Sequence, residues 1–92
     1  MSAKLSSTEV ETKLAALSGW EKSDDTIHKL YKFKNFTEAI AFVNKLVEPA
    51  EAAGHHPDLN ISYNKVTINL TTHDAEGLTQ KDFDLAATFD QL

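Results

Sequence analysis

Apolar residues recur at helical spacing near the start of the chain. Val10, Leu14 and Leu17 follow one another at spacings of four and three, which places them on one face of a helix. A capping-box sequence that begins at Ser6 stands directly before them and would cover free backbone N–H groups. The pattern predicts a first helix over about residues 7–17.

The clearest helical period in the chain begins at Phe36. Apolar residues repeat at spacings of three and four from there to Ala50, and Gly54 is a typical residue for a helix end. Pro49 conflicts with this pattern, because a proline inside a helix removes a hydrogen bond and clashes one turn back, at a cost of ~3 kcal/mol. We therefore expect either a kink near residues 45–48 or a break with a new turn at Pro49.

Two other stretches alternate with a period of two, which indicates strands. Residues 20–33 are rich in β-branched and aromatic side chains and contain a turn sequence at 23–25, so they predict a hairpin. From Leu59 to Leu70, apolar residues alternate with polar ones on both sides of a plausible turn at 64–65. This second hairpin is expected to bury one face.

A third helix is expected to follow and to run to the C-terminus. Thr79 and Asp82 suit its N-cap and its third position, and apolar residues at helical spacing come after them. The predicted element order is α-β-β-α-β-β-α. Two ββα units in succession favour a two-layer α+β fold, in which a four-stranded antiparallel sheet carries three helices on one face. A chain of 92 residues is expected to form a single domain over residues 1–92.

Composition narrows the possible function classes. The chain has no cysteine, which excludes disulfides, thiol nucleophiles and cysteine-ligated metal sites and fits a cytoplasmic protein. A net charge of −5 argues against a direct nucleic-acid binder, since such proteins normally show a basic face. No apolar run approaches the ~20 residues of a membrane span, and the first seven residues lack the apolar stretch of a signal peptide. We therefore expect no membrane association and no export.

Three of the four histidines fall within one stretch of the chain. His55 and His56 follow the end of the second predicted helix, where the negative end of the helix dipole stabilises an imidazolium ion. Pro57 restricts the backbone of His56, so the two adjacent rings are expected to point in different directions. His73 leaves the end of the neighbouring strand, and all three histidines can meet at one end of the hairpin. Imidazole exchanges protons near neutral pH, so the cluster predicts acid–base chemistry.

Two carboxylates belong to the same stretch. Glu51 stands four residues before His55, so a helical last turn would let it orient or charge that ring, although a solvated helix residue explains it equally well. Asp82 has a sufficient local role as a helix cap. The fourth histidine, His28, is expected to be an ordinary surface or satisfied side chain.

Metal binding is a less favoured alternative for this cluster. Three histidines and a carboxylate are a common ligand set. However, the helix offers no pair of histidines at i and i+4, and adjacent histidines rarely converge on one ion.

Four short motifs then occur in a fixed order in the second half of the chain. They are Glu51-x-x-x-His55-His56-Pro57, Tyr63-Asn64-Lys65-Val66, Thr71-Thr72-His73 and Gly77-Leu78-Thr79-x-x-Asp82. Together they resemble the pterin-4a-carbinolamine dehydratase family, although no single motif is specific. The resemblance is close over residues ~51–87, and the predicted element order extends it to the whole chain.

The resemblance implies a hydro-lyase. Members of this family remove water from a 4a-hydroxytetrahydropterin to give quinonoid dihydropterin, which recycles the pterin after aromatic amino acid hydroxylation. It implies no metal or organic cofactor, because the pterin is the substrate. It also implies a homodimer or homotetramer. Two alternatives accompany it: a non-catalytic role as a dimerisation cofactor for a transcription factor, as in some animal members, and a related pterin role in molybdenum-cofactor metabolism.

The resemblance also implies roles for individual residues. His55, His56 and His73 correspond to the catalytic set, with His55 and His73 assigned to proton transfer and His56 to binding and orientation. The residues implied to bind the substrate or surround its pocket are Glu51, Pro57, Thr72, Asp74, Ala75 and Asp82.

The chain departs from the family pattern at three positions. Leu59 stands where many members have an aromatic residue, and Gly54 stands where many have asparagine. Pro49 is not a feature of the family. The change at Leu59 affects a contact at the wall of the expected pocket and leaves the residues that transfer protons unchanged.

Overall fold

A computed structural model describes residues 3–92, so the first two residues of the predicted domain and of the N-terminal segment lie outside the described region. The element order within it is α-β-β-α-β-β-α, which confirms the prediction. The bounds are α1 Ser7–Ala15, β1 Glu21–Ser23, β2 Thr26–Lys32, α2 Phe36–Ala53, β3 Asp58–Ser62, β4 Lys65–Leu70 and α3 Gln80–Phe89, with a 3₁₀ turn at His73–Ala75 between β4 and α3.

The four strands form one antiparallel sheet in the order β1-β2-β4-β3. The central strand β4 places Val66, Ile68 and Leu70 on one face, and all three side chains are completely buried. Buried residues of α1, α2 and α3 pack against them, so the helices cover this one face of the sheet. The alternation that predicted the second hairpin is therefore the alternation between the core and the open face.

The strand β3 lies at an edge of the sheet and differs from the rest. It pairs only with β4, and all five of its residues are exposed. The hairpin turn precedes the predicted one by one residue, because Tyr63 and Asn64 form it and Tyr63 adopts a φ of 53°. The exposed edge also retains two apolar side chains, Leu59 and Ile61, which are 39% and 40% exposed.

The helix α2 continues through Pro49 to Ala53, so the alternative of a break with a new turn is wrong. Because proline has no backbone N–H, Pro49 removes one backbone hydrogen bond from this 18-residue helix. Buried Leu46 and Ala50 hold the helix against the core on either side of it. The helix ends where Gly54 takes a left-handed φ of 61°, a conformation that glycine adopts without strain.

The last turn of α3 is attached to β2 by a polar cluster. The Asp90 carboxylate accepts hydrogen bonds from Trp20 Nε1 at 3.0 Å, from Lys29 Nζ at 2.9 Å and from the Tyr31 hydroxyl. Burial by itself would raise the pKa of Asp90, but the hydrogen bonds from Tyr31, Lys29 and Trp20 together lower it below its usual value. Burial, followed by the bond to Asp90, raises the pKa of Tyr31 well above its usual value.

No helix within residues 3–92 is both long enough and apolar enough to cross a lipid bilayer.

Candidate active site

The side chain of His55 is directed inward by the end of α2. Its backbone N–H donates to the Ala50 carbonyl at 3.1 Å, which closes the helix around the left-handed Gly54. Its ring Nε2 lies 2.5 Å from Oδ1 of Asp82, a residue 27 positions later in the chain. The His55 side chain is 11% exposed and that of Asp82 is completely buried, so this contact is shielded from solvent.

The buried Asp82 is held on its other oxygen by two donors. Oδ2 accepts the backbone N–H of Thr79 at 2.9 Å and the hydroxyl of Thr72 at 2.8 Å. The hydroxyls of Thr72 and Thr79 also contact each other at 2.8 Å. Within the described residues, no buried side-chain nitrogen or oxygen lacks a hydrogen-bond partner. The predicted cap of α3 therefore exists, and the same carboxylate supports His55.

The adjacent His56 forms a second pair, with Glu51 of α2. Its Nε2 contacts Oε2 of Glu51, and the two side chains are 61% and 66% exposed. The pairing of Glu51 with His55 that a helical last turn would have allowed is therefore not formed, and Glu51 is a solvent-exposed helix residue. The reason is local: the left-handed Gly54 ends the helical path before His55, so the spacing of four no longer places that ring above Glu51.

His73 reaches the site from a small turn after β4. The backbone groups of Thr72 and Gly77 bond to each other in both directions, at 3.1 and 3.3 Å, and close the loop. The 3₁₀ turn His73–Ala75 lies inside this loop. The His73 side chain is exposed and makes no side-chain hydrogen bond to any residue in the 3–92 range, so it is free to meet a ligand.

The three histidines line one open cleft of about 270 Å³, which we call the histidine cleft. Their convergence from the end of α2 and the end of β4 agrees with the sequence prediction. The lining residues are Gly54, His55, His56, Thr71, Thr72, His73, Asp74 and Lys81.

The remaining predicted site residues lie around the histidine cleft. Glu51 and Pro57 line a neighbouring apolar cleft of about 200 Å³, which shares His56 with the first. Asp82 lies behind the wall of the histidine cleft, bonded to His55 and Thr72. Ala75 is a half-buried residue of the 3₁₀ turn that follows His73.

Lys81 is a lining residue that the sequence analysis did not select. It occupies the first turn of α3, one residue before Asp82. The available signal in the sequence was its place between the Thr79 cap and Asp82, two residues after the cap. Lys81 places a positive charge at the rim.

His28 stands apart from this site. It lies on β2, where its Nε2 is 3.5 Å from Oε1 of Glu21, and it does not line the histidine cleft. In the part of the chain that the structure describes, no group of three or more histidine or carboxylate side chains is arranged to hold a metal ion.

Two comparisons place the whole chain in one family. The family model described as pterin 4 alpha carbinolamine dehydratase matches residues 3–92. A protein of a Picosynechococcus species, provisionally named pterin-4-alpha-carbinolamine dehydratase, is 67% identical over 92 residues, which make up 100% of each chain.

Solved structures share the fold. A Brucella melitensis protein described as a transcriptional coactivator/pterin dehydratase superposes with a TM-score of 0.92 at 34% identity, over 96% of each chain. A pterin dehydratase-like protein described as a RuBisCO assembly factor of the alpha-carboxysome superposes with a TM-score of 0.63 at 22% identity, over 78% of this chain and 83% of its own. The second likeness concerns the fold alone. Given the family match over residues 3–92 and the 67% identical relative, this chain belongs to the pterin 4 alpha carbinolamine dehydratase family.

Proposed function

We propose that this protein dehydrates a 4a-hydroxytetrahydropterin to the quinonoid dihydropterin and so recycles the pterin after aromatic amino acid hydroxylation. The observation that carries the proposal is the histidine cleft, in which His55, His56 and His73 line one space in a chain of this family. The pterin is the substrate, and the proposed reaction uses no metal or organic cofactor.

The elimination needs two proton transfers. A general acid protonates the 4a-hydroxyl, the C–O bond breaks, and water leaves. A general base removes a proton from a ring nitrogen, and that electron pair forms the new C=N bond. We assign the two transfers to His55 and His73, since one is oriented by a buried carboxylate and the other is unpaired within residues 3–92. Such groups typically contribute about 10²–10⁴-fold each to a rate.

Other residues would bind and orient the pterin. His56 borders both clefts, and Glu51 and Pro57 extend the surface on its far side. Asp74 and Lys81 add one negative and one positive charge to the rim of the histidine cleft. Leu59, which stands where many family members have an aromatic residue, lines the apolar cleft.

The test is the decay of a synthetic 4a-hydroxytetrahydropterin, followed by absorbance with and without the protein. We expect the wild-type protein and His28→Ala to accelerate decay, because His28 lies outside the histidine cleft. His55→Ala and His73→Ala should each lose most of that acceleration. Full activity in both cleft variants would refute the mechanism, and an inactive wild-type protein would refute the function.

We also propose that the protein acts as a homodimer or homotetramer. The edge strand β3 leaves one row of backbone hydrogen-bonding groups unpaired, and the apolar side chains of Leu59, Ile61 and Val47 are 39%, 40% and 57% exposed. Self-association would cover them. Sedimentation of the wild-type protein and of an Ile61→Lys variant tests this, and a monomeric wild-type protein at micromolar concentration would contradict it. The proposal places the reaction in the cytoplasm, which fractionation of cells expressing a tagged chain would test.

A second candidate is a regulatory role through a protein partner. The Brucella melitensis relative described as a transcriptional coactivator/pterin dehydratase motivates it, together with the exposed apolar residues around β3. In this case His55→Ala and His73→Ala would keep partner binding, whereas Ile61→Lys would lose it. Loss of partner binding in the histidine variants would instead favour a pterin-dependent role.

A further inference from the structure

The hydroxyls of Thr72 and Thr79 form a directed chain that ends on the carboxylate of Asp82. We infer that this chain acts through Asp82 to fix the proton of His55 on Nε2, which leaves Nδ1 as the ring atom that exchanges a proton with a ligand. The tautomer follows from the hydrogen bonds alone, and only its catalytic consequence depends on the proposed dehydratase function.

The direction of this hydrogen-bond chain is fixed first by a group that can only donate. The backbone N–H of Thr79 can only donate, so Oδ2 of Asp82 accepts from it at 2.9 Å. The Thr72 hydroxyl lies 2.8 Å from the same oxygen and gives its single hydrogen to the carboxylate. Its contact with the Thr79 hydroxyl at 2.8 Å must then be a bond that Thr79 donates. The Thr79 hydroxyl therefore donates to Thr72, and the Thr72 hydroxyl donates to Asp82.

The other oxygen of Asp82 decides the tautomer of His55. Oδ2 of the buried Asp82 accepts two hydrogen bonds, so this carboxylate acts as a hydrogen-bond acceptor towards its partners. An imidazole is a stronger base than a carboxylate, so the hydrogen between Oδ1 and the ring resides on Nε2. His55 is accordingly a donor to Asp82 whether the ring is neutral or charged.

The remaining ring nitrogen is available to a ligand. Nδ1 of His55 has no hydrogen-bond partner among residues 3–92, and the ring lines the histidine cleft with His73. In the neutral ring Nδ1 holds a lone pair and acts as a base, and in the charged ring it holds a hydrogen and acts as an acid. One atom of His55 therefore serves either half of the elimination.

Two residues that the family resemblance implied as pterin contacts take another role in this arrangement. Asp82 has both oxygens occupied and no exposed surface, and the hydroxyl of Thr72 is directed at Asp82. Both are positioning residues that act through His55. Thr79 joins them, although its sequence position indicated only a helix cap.

Asparagine at position 82 provides the sharpest test, because an amide has one donor end and one acceptor end. The donors on the Oδ2 side hold the amide oxygen there, so the NH₂ group faces His55. Nε2 must then accept, and the hydrogen moves to Nδ1. Nitrogen-15 NMR of the histidine rings, without any ligand, distinguishes these tautomers.

We expect the Nε2–H form of His55 in the wild-type protein and the Nδ1–H form in Asp82→Asn. An Nδ1–H form in the wild-type protein would overturn the inference, and so would an unchanged tautomer in folded Asp82→Asn. If Asp82→Asn does not fold, the wild-type spectrum alone decides. These outcomes do not depend on dehydratase activity, so an inactive protein with the expected tautomer would refute only the proposed function.

The role of Thr72 is tested by kinetics on the same pterin substrate. Thr72→Val keeps the side-chain shape and removes the donor to Asp82, so we expect kcat to fall on the order of tenfold with KM unchanged. Thr72→Ser keeps the hydroxyl and should restore kcat. A raised KM with unchanged kcat in Thr72→Val would identify Thr72 as a pterin ligand and overturn its positioning role.

Discussion

Two adjacent histidines each pair with a carboxylate, yet the two pairs lie in opposite environments. His55 and Asp82 are 11% and 0% exposed, whereas His56 and Glu51 are 61% and 66% exposed. The first pair is surrounded by protein and the second by water. The same two chemical groups therefore have different energetics: a buried charge left without its partner is costly, while an exposed ion pair contributes little.

The difference arises from the elements that supply each carboxylate. Asp82 belongs to the first turn of α3, where the helix dipole and the N–H of Thr79 favour a negative charge. Glu51 belongs to the solvent-facing side of the last turn of α2. The buried pair is thus held by three parts of the fold, and the exposed pair only by its own chain segment.

The largest expected contrast is in catalysis. His55→Ala should lower kcat by about 10²–10⁴-fold, because it removes a proton-transfer group. His56→Ala should mainly raise KM, by roughly tenfold, because His56 is assigned to binding. Steady-state kinetics on the synthetic 4a-hydroxytetrahydropterin measures both. Equal losses of kcat in the two variants would mean that burial does not separate their roles.

The next contrast is in stability. Asp82→Ala should lower the free energy of unfolding by about 3–5 kcal/mol, since it leaves His55 and two threonine groups without their acceptor. Glu51→Ala should lower it by less than about 1 kcal/mol. Urea denaturation of both variants measures this difference. Similar midpoints would show that the buried network is not a stabilising element.

A third carboxylate gives an intermediate case. Asp90 has a 19% exposed side chain and three donors, but it lies away from the histidine cleft. We expect Asp90→Asn to cost about 1–3 kcal/mol of unfolding free energy without changing kcat.

The acid dependence of this contribution follows from the lowered pKa of Asp90. A carboxyl group whose pKa is lower in the folded state than in the unfolded state stabilises the protein at any pH above its unfolded-state pKa. That stabilisation disappears as the pH falls through the folded-state pKa. Urea titrations between neutral and acidic pH should show this loss in the wild-type protein and a smaller loss in Asp90→Asn. Identical pH dependence in both proteins would contradict the role of Asp90.

The smallest expected effect is a difference between the two histidine–carboxylate pairs in how their coupling energy depends on salt. Raising sodium chloride from about 0.1 M to about 1 M shortens the screening length from ~10 Å to ~3 Å. The coupling between Glu51 and His56, measured by a double-mutant cycle, should then fall towards zero, while that between Asp82 and His55 should persist. A salt-sensitive Asp82–His55 coupling would mean that water reaches the buried pair.

The elements of this fold were predictable because each depends on residues close together in the chain. The capping sequence at Ser6 and the alternation through β4 correctly predicted a helix and a buried strand. Errors occurred where the local signal was weak or was overridden. The second hairpin turns at Tyr63, a residue with no turn preference, and α2 passes through Pro49 because core contacts on both sides hold it.

By itself, the sequence determined that three histidines can meet at one end of a hairpin, since spacing and strand parity are local properties. Only the tertiary structure decided which carboxylate serves which ring. Glu51 was the nearer candidate for His55 along the chain, but Gly54 turned the backbone away, and Asp82 reached His55 from 27 residues further on. Contacts between distant segments depend on how the helices pack on the sheet, and no spacing within one segment contains that information.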